Sequence, residues 1–139
     1  MTNEGDPTRG PKSGVVPYLS VVGGKAAVEF YKRAFGAEAV FSNTADDGER
    51  LLHARLLIND GWVFLSDHFG EMRGGAPAPT PAGVTLHLVV DDADTWWNRA
   101  LAAGASVAYP IADQFWGDRY GQLADPFGHT WSIASKIKG

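Results

Sequence analysis

Residues 14–35, GVVPYLSVVGGKAAVEFYKRAF, and residues 83–101, GVTLHLVVDDADTWWNRAL, decide the fold. In each, a β-branched, apolar run gives way to an apolar stripe at helical spacing. The first stripe is Ala27, Phe30, Tyr31, Ala34 and Phe35, and the second is Trp96, Trp97, Ala100 and Leu101. Gly36 and Gly104 stand where helix C-caps belong, and the acidic run Asp91-Asp92-Ala93-Asp94 reads as a helix start rather than a metal cluster. Two β-to-α steps about 69 residues apart, counted from Gly14 to Gly83, point to an internal duplication.

Working outward, strands are expected over 37–44, 50–58 and 62–67 after the first helix, divided by the turns Asp46-Asp47-Gly48 and Asn59-Asp60-Gly61. After the second helix they are expected over 106–112, 119–124 and 130–135, with Asp125-Pro126-Phe127-Gly128 between the last two. Each module is thus βαβββ, and the class is α+β, with each helix covering one face of its sheet and the other face lining a cup. Residues 1–13 read as a disordered tail, and 14–136 as a single domain. Module 1 spans about 14–68, a Gly/Pro-rich linker 69–82, and module 2 about 83–136.

The chain has 139 residues, 45% hydrophobic and 20% charged, enough for one domain with a proper core. A net charge of −4 with no Lys/Arg run argues against nucleic acid or an anionic membrane as partner. Without cysteine there is no disulfide, thiolate zinc site or cysteine nucleophile. No apolar run approaches the roughly 20 residues of a membrane span, and the polar start is unlike a signal peptide, so a cytoplasmic protein is expected.

Side-chain alternation assigns to the cup face Val16, Tyr18 and Ser20; His53, Arg55 and Leu57; Val63, Leu65 and Asp67; Thr85, His87 and Val89; Tyr120 and Gln122; and Thr130 and Ser132. Leu52, Ala54, Leu56 and Ile58, with Trp62 and Trp131, are assigned to the helix side. Phe115, Trp116 and Tyr120 cluster before the final hairpin, where they could form an aromatic lid, with a plain satellite core as the competing reading; Arg55 or Arg119 could clamp a carboxylate or phosphate, with pairing to neighbouring acids as the competing reading.

The stretches PYLSVVGGKAAVEFYKRAFGAE (17–38), LLHARLLIND (51–60) and FWGDRYGQLADPFGHTW (115–131) resemble the vicinal oxygen chelate superfamily, which includes glyoxalase I, bleomycin-resistance proteins and extradiol dioxygenases. Within it they are most similar to the PhnB-like, or glyoxalase-like, subgroup. The resemblance implies two tandem βαβββ modules forming a cupped mixed sheet, and a homodimer. In the metalloenzymes it also implies a divalent ion held by His, Gln or Glu on the first and fourth strands of each module. Those positions fall here on Val16, Leu65, Thr85 and Ser132, which are unsuitable ligands. The expectation is therefore a protein without metal cofactor that binds a small molecule in a polar and aromatic cup. Its contacts would be Tyr18, Ser20, His53, Arg55, Thr85, His87, Trp116, Tyr120, Gln122 and Ser132. The alternative is a lyase, isomerase or dioxygenase using His53, His87 and Asp67, around a displaced divalent ion or as metal-free acid and base groups.

Overall fold

The computed structural model describes residues 2–138. Along the chain run β1 (Thr2–Gly5), β2 (Tyr18–Val21), α1 (Gly24–Phe35), β3 (Glu38–Thr44), β4 (Leu51–Ile58), β5 (Gly61–Asp67), β6 (Thr85–Val89), α2 (Ala93–Ala103), β7 (Ser106–Asp113), β8 (Asp118–Ala124) and β9 (Thr130–Lys136). This is the α+β architecture with tandem βαβββ modules. The chain groups into two compact units: residues up to Lys32 with Gly36–Pro79, and Arg33–Phe35 with residues from Thr80 on.

In the first unit the sheet order is β1-β3-β4-β5-β2, with β2 parallel to β5 and the other pairs antiparallel. Alternation buries Ala54, Leu56 and Ile58 of β4, Val63 and Leu65 of β5, and Leu19 and Val21 of β2 on one face. The helix stripe buries Ala27, Phe30, Tyr31 and Ala34. The start of α1 is tied to the end of β5. The Asp67 carboxylate, 5% exposed, accepts the N–H groups of Gly23 (2.8 Å), Gly24 (3.0 Å) and Leu51 (2.7 Å). Gly24 is required by that closeness, because a Cβ there would lie 2.5 Å from Asp67 Oδ2.

In the second unit the order is β6-β9-β8-β7, with β6 parallel to β9. Leu88, Leu123, Trp131 and Ile133 are buried on its helix face, where Trp97 of α2 lies over Gly121. A Cβ on Gly121 would meet Trp97 Cζ3 at 2.6 Å and the Ile111 backbone at 2.8 Å. Here the start of α2 is tied to β9 by a neutral group, the Ala93 N–H donating to Ser135 Oγ at 3.0 Å. The buried Asp125 organises the β8–β9 turn, accepting the N–H groups of Phe127 and His129 and the indole N–H of Trp131.

The 69–82 segment is irregular apart from a 3₁₀ turn at Gly70–Met72. Three expectations are corrected. Residues 2–5 are not a tail: they form β1, antiparallel to β3 from Thr2 opposite Thr44 to Gly5 opposite Phe41. On β5, Trp62, Phe64 and Ser66 take the open face and Val63, Leu65 and Asp67 the helix face, the reverse of the expected register. Phe64 lies opposite Arg55 and Trp62 opposite Leu57, and paired residues share a face. The cause is the hairpin, in which Asn59 (φ 49°) and Asp60 (φ 64°) form a two-residue left-handed turn that sets Ile58 opposite Gly61. Finally, β4 bulges between Leu51 and His53, which pair with successive residues Thr44 and Asn43, and Leu52 leaves the helix side.

Candidate functional site

On the open face of the first unit, β2, β4 and β5 bring Tyr18, His53, Arg55 and Phe64 together. Arg55 Nε donates to His53 Nε2 at 3.1 Å, and Tyr18 Oη lies 2.8 Å from His53 Nδ1. A guanidinium can only donate, so Nε2 carries no hydrogen; the neutral imidazole then holds its proton on Nδ1 and donates it to Tyr18 Oη. Burial, and then the Arg55 charge, push the His53 pKa below its ordinary value, which favours this neutral form. Burial raises the Tyr18 pKa against a smaller opposing effect of Arg55, so the phenol stays protonated. His53 packs edge-on against Phe64 at 4.9 Å, and Tyr18 does so at 5.7 Å. Arg55 is fixed from behind by the carbonyls of Pro7 (2.8 Å) and Arg9 (2.9 Å) and lies 4.9 Å over the Phe41 ring. It is not placed as a free carboxylate clamp.

Beside this cluster is a cavity of about 570 Å³, bordered by Tyr18, Ser20, Leu52, Ser66, Met72 and Arg73 among others. Its rim, residues 68–76, is anchored at both ends. His68 Nε2 donates to the Ala76 carbonyl at 2.8 Å. Arg50 grips Glu71 through two bonds (3.0 and 2.6 Å), pairs with Asp47 at 2.7 Å and lies 4.3 Å over Phe69.

In the second unit, Thr85, His87, Tyr120, Gln122 and Ser132 share the open face, as expected. His87 Nδ1 lies 2.6 Å from Ser132 Oγ, Gln122 Nε2 donates to Tyr120 Oη at 2.8 Å, and the His87 and Tyr120 rings are 6.0 Å apart. Trp116 meets Tyr120 edge-on at 5.6 Å and donates to Asp118. Arg119 is taken by Asp94 (2.9 Å) and Asp113 (3.1 Å), so its ordinary pairing partners differ from the adjacent Asp118.

Asp67 does not join His53. It faces the helix side, its oxygens occupied by three backbone N–H groups, while His53 is on the open side with both ring nitrogens engaged. Leu65 is fully buried, and Val16 precedes β2. Among the described residues, no three His, Asp or Glu side chains gather as a metal-ligating group. Sequence reasoning missed Leu52, Phe64, Ser66, Met72 and Arg73. The first three follow from the bulge and the two-residue turn; Arg73 sits in a Gly/Pro-rich segment that gives no periodic signal.

A family model described as Glyoxalase/Bleomycin resistance protein/Dioxygenase superfamily matches residues 19–133. An uncharacterized protein of Mycobacterium bovis is 44% identical over 126 residues, covering 88% of this chain and 82% of that protein. The crystal structure of protein PA1353 from Pseudomonas aeruginosa matches with a TM-score of 0.72 at 27% identity, over 91% of this chain and 100% of that one. A PhnB protein from Bacillus cereus shares the fold with a TM-score of 0.70 at 20% identity, over 88% of this chain and 99% of that one.

Proposed function

The chain belongs to the glyoxalase/bleomycin resistance protein/dioxygenase superfamily, and from that premise we propose that it is a small-molecule binding protein that takes its ligand on the open sheet face of the first unit. The observation that carries this reading is the cavity of about 570 Å³ beside Tyr18, a size suited to a small organic ligand and bordered by apolar and hydroxyl groups. Leu52 and Met72 supply apolar walls, and Tyr18, Ser20 and Ser66 supply polar groups that orient a guest.

The divalent ion of the superfamily's metalloenzymes does not fit the residues present. On the first and last strands of the first unit the paired open-face residues are Tyr18 and Phe64, and in the second unit His87 and Ser132. A phenol, a phenyl ring and a hydroxyl leave one imidazole as the only good donor among the four. The reading therefore routes no step through a metal.

The test is ¹⁵N–¹H NMR of the full-length chain titrated with a library of small aromatic fragments. Binders should move the amides of Tyr18, Ser20, Leu52 and Ser66. Fragment shifts confined elsewhere, or one divalent ion per chain that survives chelator dialysis and raises the melting temperature, would overturn the reading.

A further inference from the structure

We propose that the cavity of the first unit is built for the anionic oxygen of its ligand, a carboxylate or phosphoryl group, with Arg73 as its charge partner and the Tyr18 hydroxyl as a directed donor. The inference rests on the small-molecule reading of the same cavity and adds its ligand class.

Elimination among the arginines of this unit leaves Arg73 as the charge at the cavity. Arg73 borders the cavity, and its side chain has no hydrogen-bond or ion-pair partner among the described residues. Other arginines of this unit are engaged: Arg9 with Glu38, Arg50 with Asp47 and Glu71, and Arg55 with His53 and two carbonyls. The acid nearest in sequence, Glu71, is claimed by Arg50 through two hydrogen bonds. Asp67 also borders the cavity, but its oxygens are turned into three backbone N–H groups. One guanidinium is thus left uncompensated at the rim. Its segment is held in place by the Arg50–Glu71 pair, the Arg50–Phe69 contact and the His68–Ala76 bond rather than swinging free.

The direction of one proton adds a donor to that charge. Because Arg55 donates to His53 Nε2, His53 donates through Nδ1 to Tyr18 Oη. That hydroxyl has thereby accepted its bond from the protein, and its own hydrogen is free to be given. Tyr18 is 57% exposed and borders the cavity, so its O–H is available to an acceptor placed there. A ligand oxygen with lone pairs satisfies both this donor and the guanidinium, whereas a ligand N–H satisfies neither.

Three probes of one shape separate the cases: benzoate, phenyl phosphate and neutral benzamide, each titrated into the full chain and followed by the amides of Tyr18, Ser20, Ser66 and Arg73. At least one anion should bind on the order of ten-fold or more tightly than benzamide, and the better of the two identifies the headgroup. Arg73→Ala should remove that preference, weakening the anions far more than benzamide, which offers the guanidinium only a neutral carbonyl; Arg73→Lys should keep part of it. Tyr18→Phe should weaken all three probes, since each offers an oxygen acceptor. Benzamide binding as tightly as both anions, or an anion preference that survives Arg73→Ala, would overturn the anionic assignment and leave the small-molecule reading standing. If none of the three moves these amides at millimolar concentration, both fall.

Discussion

The two modules place the same pair of rings on the same strands in opposite order. Val21 lies opposite Asp67, and Val89 opposite Ala134, which brings Val90 into step with Ser135; Asp67 and Ser135 each tie down a helix start. In that alignment Tyr18 corresponds to His87, His53 to Tyr120, Arg55 to Gln122 and Phe64 to Ser132. Module 1 reads Tyr–His–Arg where module 2 reads His–Tyr–Gln. The i, i+2 bond along the third strand of each module survives the exchange, as Arg55 to His53 in one and Gln122 to Tyr120 in the other. What changes is its charge. A guanidinium fixes the tautomer of its neighbour and aims a proton outward, whereas a neutral amide binds a phenol. The two modules share this geometry, and the first carries a charged donor where the second carries a neutral one.

The largest test of this comparison is at the two helix starts. Asp67→Ala removes one buried acceptor from three N–H groups and should cost about 3 kcal/mol or more in urea unfolding, while Ser135→Ala, with one bond at stake, should cost about 1 kcal/mol. Equal costs would mean the two caps are energetically alike, and the asymmetry would then be confined to the open faces. Gly121→Ala comes next, at about 2–3 kcal/mol, because the new methyl must displace both Trp97 and the Ile111 backbone, and only the first can yield.

Helices, strand order and duplication were legible in the sequence because each rests on local chemistry: an apolar stripe closed by glycine, or an alternating run closed by a turn. The α2 boundaries agree with its stripe and Gly104. The open face of β5 was misread because Trp62, Val63, Phe64 and Leu65 are all apolar, so alternation carries no contrast there. Only the two-residue Asn59-Asp60 turn fixes which of them stands beside Arg55. Residues 2–5, TNEG, are polar and carry no strand signal; in the structure they stay exposed, and their pairing comes from the free edge of β3, not from their own side chains. Arg55 illustrates the remaining gap. Its partners are main-chain carbonyls of Pro7 and Arg9, and a carbonyl has no sequence signature.

That N-terminal segment has no counterpart in the four-stranded second sheet, so it offers a milder test. Removing residues 2–12 deletes both carbonyl partners of Arg55 and the β1–β3 pairing. The expected loss is about 1–2 kcal/mol of stability, read by urea unfolding, with the second-unit amides of an NMR spectrum unmoved. Shifts spread through β6 and β9 would contradict the local role given to this segment.

The smallest effect is the most diagnostic of the polarised face. Burial and the Arg55 charge hold the His53 pKa below its ordinary 6.5, so the unfolded chain takes up a proton before the folded one as pH falls. The contribution of His53 to stability is therefore intact above about pH 6.5 and declines as pH drops through the lower, folded pKa. His53→Gln should remove that part of the acid dependence. Direct titration of the His53 imidazole carbon-bound protons should give a midpoint below 6.5 in the native protein. Arg55→Met should move it upward, because the second cause of the depression is gone while burial remains. A midpoint that stays put in Arg55→Met would mean the guanidinium does not polarise the ring, and the directed Tyr18 proton would lose its physical basis.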